Sequence, residues 1–128
     1  INPIDVGMAW MQACQHEVAS KCPTNIPQVL TFGRFEALGS TNVVAGTAQI
    51  KGTFRTMDET WRTQVHAILQ AQANEIAAEF GAKLVRFDQR FNDLAQEMSM
   101  LELADDGVHP SQLGHTIMAD LWLRTVGL

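Results

Sequence analysis

No stretch of this chain approaches the ~20 consecutive apolar residues that a membrane-spanning helix needs, and no run of lysine and arginine occurs anywhere in it. The first absence argues against a transmembrane segment. The second removes the surface on which nucleic-acid and anionic-membrane binding depend, the more so because Lys+Arg 9 against Asp+Glu 14 leaves a net charge of -5. Internal repeats and low-complexity tracts are missing too. Neither H-x-x-x-H nor C-x-x-C is found, and Asp105, Asp106, His109 and His115 follow no recognised ligand spacing, so neither a metal site nor a cofactor is expected. The sequence opens on Ile1 without a methionine, and Ile1-Asn2-Pro3-Ile4 is not the basic start of a signal peptide. A processed product or a fragment is the expectation. Cysteine is scarce: Cys14 and Cys22 are the only two. One straight helix between them would hold them ~12 Å apart, beyond disulfide reach. A helix ending near Ser20, as Lys21-Cys22-Pro23 invites, would let the chain turn back, so spacing leaves a bridge and two unpaired thiols equally open.

What is present reads as one α/β domain over residues 1–128, with 46% hydrophobic and 18% charged residues around a single core. Met11, Cys14, Val18 and Ala19 recur at helical spacing and predict a short helix over 8–19. The apolar run 26–32 suits a buried strand of a parallel sheet. Four glycines then break up residues 33–56, which read as a long functional surface loop, extended in part near Val43 and Val44. Thr56-Met57-Asp58-Glu59 has the form of a capping box opening a long helix. Trp61, Val65, Ile68, Leu69, Ile76 and Phe80 form its apolar stripe, and Gly81 supplies a left-handed stop. Residues 83–88 read as a second strand, neighbouring 29–32 in parallel and covered by the long helix, and 89–98 as a second helix. Pro110 reads as the first residue of a closing helix that carries Leu113, Ile117, Met118, Leu121 and Trp122.

The chemistry concentrates in Asp105-Asp106-Gly107-Val108-His109-Pro110. A carboxylate three residues before an imidazole, in a turn held by Gly107 and Pro110, can aim Asp106 at Nδ1 of His109. The ring is then fixed in one tautomer, with Nε2 left to take a proton from a nucleophile. On residue chemistry alone, an ordinary helix N-terminus explains the string about as well. His16 and His66 read as polar helix-face residues, and His115 as a cap or packing residue. Met8, Trp10, Met11 and Trp61 read first as core or rim.

Asp106-Gly107-Val108-His109-Pro110, with Leu113-Gly114-His115 and Met118-Ala119-Asp120-Leu121-Trp122, resembles the last block of the SGNH (GDSL-type) esterases and lipases. The order of elements over most of residues 26–126 is similar as well, and Ile4-Asp5-Val6-Gly7-Met8-Ala9 with Cys14 is similar to an N-terminal stretch of secreted members. The resemblance implies a partial three-layer α/β/α fold, flavodoxin-like, with parallel strands, this chain being the C-terminal portion of the domain. It implies a secreted or extracytoplasmic carboxylic-ester hydrolase acting on an ester or lipid through an acyl-serine. His109 shuttles the proton and Asp106 orients it. It also implies a Cys14–Cys22 disulfide. Independently, because ligands of open α/β sheets lie beyond the carboxyl ends of the strands, Met8 and Trp10, with Phe35 on the 33–56 loop, are the candidate lining of an acyl pocket.

Two departures stand out. Ile4 occupies the place of the family's oxyanion-hole asparagine, with Asn2 near but out of register. No Gly-Asp-Ser block is present: Phe32-Gly33-Arg34-Phe35 has Phe where the serine belongs, and Ser40 comes too late in the chain. The nucleophile is therefore expected on a companion N-terminal segment, and this chain alone is expected to be inactive. The rival reading is a non-catalytic α/β binding module or a degenerate relative of the family.

Overall fold

The computed structural model describes residues 1–127, whose contacts gather into two compact units, Ile1–Ala82 and a second starting at Lys83.

The first unit opens with helix α1 (Pro3–Lys21), which starts well before the first periodic apolar residue because its N-terminus is specified by polar chemistry. Asn2 is the cap, its Oδ1 accepting from the Ile4 amide at 3.1 Å. Pro3 stands where a missing amide costs nothing, and Asp5 complements the helix dipole. The helix does not stop before Lys21, which pairs with Glu17 at 2.6 Å. Cys14 therefore faces the core while Cys22 lies just past the last turn, and both are free thiols. The disulfide implied by resemblance is not formed, because eight residues of mostly helical chain hold the two positions apart.

Asn25, in the left-handed region at φ 75, reverses the chain into a β-hairpin of β1 (Gln28–Glu36) and β2 (Gln49–Thr56). The pairing is antiparallel, and this is the only sheet among the described residues. The parallel, flavodoxin-like three-layer architecture is thus replaced by a mixed α/β fold with a two-stranded antiparallel sheet. Residues 33–56, expected as a surface loop, are half strand, with residues 37–48 left irregular around a Ser40–Val43 bridge. The register explains why the pattern was hidden. It runs Phe32 opposite Gly52 and then Arg34 opposite Lys51, leaving Gly33 as a bulge. A two-residue period carries Leu30 and Phe32 inward; the extra residue resets the phase, so that Phe35 also turns inward and Arg34 outward. Gly52 is required opposite Phe32: a Cβ there would lie 2.7 Å from the Thr31 carbonyl oxygen and 2.8 Å from the Phe32 ring.

Helix α2 (Glu59–Glu79) begins two residues later than the Thr56 capping box implied. Asp58 is the cap, accepting from the Trp61 amide at 2.6 Å, while Thr56 Oγ1 donates to the Pro27 carbonyl at 3.0 Å and ties the foot of the hairpin. Gly81 adopts φ 63, and the amides of Gly81 and Ala82 donate to Ala78 and Ala77 in a Schellman ending, as the sequence anticipates. The core joins Val18 of α1 to Trp61 and Val65 of α2, with Leu30 and Phe54 of the hairpin packed against them. Trp61 Nε1 donates to Gln28 Oε1 at 3.1 Å, satisfying its one polar atom.

In the second unit, residues 83–86 are irregular and no strand forms there; the Phe87 amide donates instead to the Val85 carbonyl. A short apolar run fits a strand only where a partner edge accepts it. Helices α3 (Phe87–Leu94), α4 (Met100–Leu103) and α5 (Gln112–Val126) follow, and Leu94, Leu103, Ala104 and Gly114 are the buried positions.

Candidate functional site

The turn between α4 and α5 is held from both ends. Upstream, Ser99 caps α4, accepting from the Leu101 amide, and the Gly107 amide donates to the Ala104 carbonyl at 2.9 Å. Gly107 has φ 75, a conformation that favours glycine and closes the turn. Downstream, Ser111 caps α5 by accepting from the Gly114 amide at 3.1 Å. The same hydroxyl donates to the Glu102 carbonyl at 2.6 Å, and the Ser111 amide donates to the Leu103 carbonyl at 2.8 Å. Gly114 sits so close to α4 that a Cβ would strike the Leu103 carbonyl oxygen. Pro110 lies outside the helix, before the cap, rather than at its first turn.

Between these anchors Asp106 organises the loop. Its Oδ1 accepts from the backbone amides of Val108 at 2.9 Å and His109 at 2.7 Å, and its Oδ2 lies 2.7 Å from His109 Nδ1. The contact expected from the D-x-x-H spacing is present. Its hydrogen bond to the His109 ring, together with those from the two amides, holds the Asp106 carboxyl down at about 2. An ionised carboxylate can only accept, so Nδ1 carries a proton, and in the neutral ring Nε2 then presents a lone pair. Both side chains stand in water: His109 is 82% exposed and Asp106 56%.

The other residues singled out from sequence are placed elsewhere. Trp10 meets Phe32 edge-to-face at 5.4 Å, donates to the Leu69 carbonyl and so helps hold α1. Phe35 lies with Ile50 over Gly7, where a Cβ would come within 2.8 Å of its ring. Met8 is half exposed. Trp10 and Phe35 thus join α1 to its neighbours. Ile4 lies in the first turn of α1 and its amide is taken by Asn2. His16, His66 and His115 are exposed on helices, and the cap role considered for His115 belongs to Ser111.

None of the four serines stands as a nucleophile. Ser99 and Ser111 are caps, Ser20 Oγ donates to the Glu17 carbonyl and Ser40 Oγ to Asn42 Oδ1. Ser111 and Gly114 were missed as members of the site; the signal was Ser-x-x-Gly just after the proline, a cap followed by a residue that tolerates close approach. Among the described residues, no group of three or more His, Cys, Asp or Glu could hold a metal ion, and no helix is long and apolar enough to cross a membrane. No protein-family model matches the chain, and no similar protein was found among curated sequences or solved structures.

Proposed function

We propose that Asp106 and His109 are the acid–base pair of a carboxylic-ester hydrolase of SGNH type, and that its serine lies on polypeptide outside residues 1–128. The observation that supports this reading is the 2.7 Å contact between Asp106 Oδ2 and His109 Nδ1, within a turn braced by both flanking helices. It rests on this pair and its motif, not on the parallel sheet that the resemblance implied.

In this mechanism His109 Nε2 removes the serine proton as Oγ attacks the ester carbonyl. Asp106 stabilises the imidazolium that results. The same proton passes to the departing alkoxide, leaving an acyl-serine that water hydrolyses by the reverse sequence. Since Ile4 offers no side-chain donor, the oxyanion contacts also fall to the companion polypeptide. The exposure of His109 agrees with such an arrangement, because the companion would cover the pair and exclude water.

The test uses the full reading frame and a short-chain chromogenic ester. His109→Ala should lower turnover by about 10⁴-fold or more, as loss of a triad member does. Asp106→Asn should fall between that variant and the parent, and His115→Ala should keep most activity. A fluorophosphonate should label a serine outside these residues. Equal turnover in His109→Ala and the parent, with both folded, would overturn the assignment and leave the binding-module reading.

A further inference from the structure

The hairpin has two faces. Leu30, Phe32, Phe35, Ile50 and Phe54 lie on the inner one, whereas the outer face carries four cross-strand pairs, Val29 with Arg55, Thr31 with Thr53, Arg34 with Lys51, and Glu36 with Gln49. Three of the nine basic residues therefore stand on one side of a single ribbon, in a chain whose formal charge is -5. This concentration follows from the bulge. Were Gly33 paired in a regular ladder rather than bulged, Arg34 would point inward and the Arg34–Lys51 pair would leave this face.

Between these pairs lies a shallow depression of about 220 Å³, lined by Thr31, Gly33, Arg34, Lys51, Gly52 and Thr53. Its composition is that of an anion cradle: two hydroxyls, two cations and, at Gly33, a bulge with no side chain over the backbone. Nothing in the fold approaches the space a Cβ on Gly33 would take. We infer that this outer face of the hairpin binds a phosphate monoester group, held by the Arg34 guanidinium, the Lys51 ammonium and the hydroxyls of Thr31 and Thr53.

Phosphate is favoured over carboxylate by a contact already in place. Glu36 Oε1 lies 2.6 Å from an Arg34 guanidinium nitrogen, so a carboxylate ligand would replace an equivalent partner with little gain. A dianion that reaches Lys51 as well as Arg34 gains a second cation and outcompetes Glu36. The depression falls below the ~300 Å³ of an ordinary small-molecule pocket. It suits one phosphoryl group with its carrier left in solvent.

The experiment is an amide-resolved NMR titration of the full chain with inorganic phosphate, at constant pH and ionic strength. Acetate is the control, and phosphoserine and a sugar phosphate are the arms that distinguish carriers. Saturable shifts confined to Thr31, Gly33, Lys51, Gly52 and Thr53, with acetate without effect, are expected. Lys51→Ala should weaken phosphate about tenfold, the loss of one charge-assisted contact, while Lys51→Arg retains binding and Arg62→Ala on α2 leaves it unchanged. Preserved dispersion in each spectrum certifies the fold. Tighter binding of either monoester than of inorganic phosphate supports the site and identifies its carrier. Shifts spread evenly over Lys21, Lys83 and Arg90 as well, or none that saturate, would overturn it.

Discussion

Asp106 shows how much one side chain can settle. It accepts from two backbone amides and faces an imidazole, so its negative charge is the form that the turn is built to hold. A carboxyl whose folded pKa lies below its unfolded value, ordinarily about 3.9, contributes stability that is fully present above that value. The contribution is lost as pH falls through about 2. The Asp106 carboxyl carbon should accordingly titrate with a midpoint near 2 by NMR, the amide shifts of Val108 and His109 moving with it. Because the pair is exposed, added salt should raise that midpoint. A midpoint at the ordinary carboxylate value would show that the turn is open in solution. Asp106→Asn keeps one acceptor oxygen for the amides but gives up the charge, so it should release the ring before it releases the backbone.

At the level of elements, the bulge at Gly33 decides which residues the hairpin hides. Inserting one residue between Lys51 and Gly52 would give Gly33 a partner and restore an unbroken two-residue alternation, turning Phe35 to solvent and Arg34 towards the core. Exposing the phenyl alone costs about 1.5–3 kcal/mol, and the inward guanidinium adds to that. A urea melt of the insertion variant should move to lower midpoint by at least this equivalent; an unchanged midpoint would mean that the register differs from the one described. The same bulge marks the limit of what the sequence discloses. Residues 29–32 are legible as strand because their apolar run is local and bounded by Pro27 and Gly33, though the run does not disclose that its partner is antiparallel. The return strand was lost because Gly52 breaks the inner row, at a position where no side chain fits beside Phe32. Capping signals were legible to within two residues, Asp58 winning over Thr56 because Thr56 is drawn to the Pro27 carbonyl. The Asp106–His109 contact was legible because its spacing is short and its geometry local. Its support was not, since Ser111 and Gly114 act on the carbonyls of Glu102 and Leu103, partners that only the packing of α4 on α5 reveals. Residues 84–87 misled for the opposite reason: their composition suits a strand, but no edge accepts them.

On the scale of the whole molecule, the two units are unequally provided. The first has a core centred on Val18, Trp61 and Val65. The second, beginning at Lys83, buries Leu94, Leu103, Ala104 and Gly114 across a few short helices, and units of this size are marginal by surface-to-volume scaling alone. Amides of α5 should therefore lose hydrogen-exchange protection well before those of α2, and equal protection would show that the units open together. The two thiols give the first unit a further property. Burial pushes the Cys14 thiol up to about 12, whereas Cys22 stands partly open beyond the end of α1. Alkylation needs a thiolate that the reagent can reach. Cys22 should be modified at once, and Cys14 only when α1 separates from its neighbours. The chain thus carries an internal stopwatch: the delay between the first and second mass increments reads out how often the first unit opens, without any label or substitution.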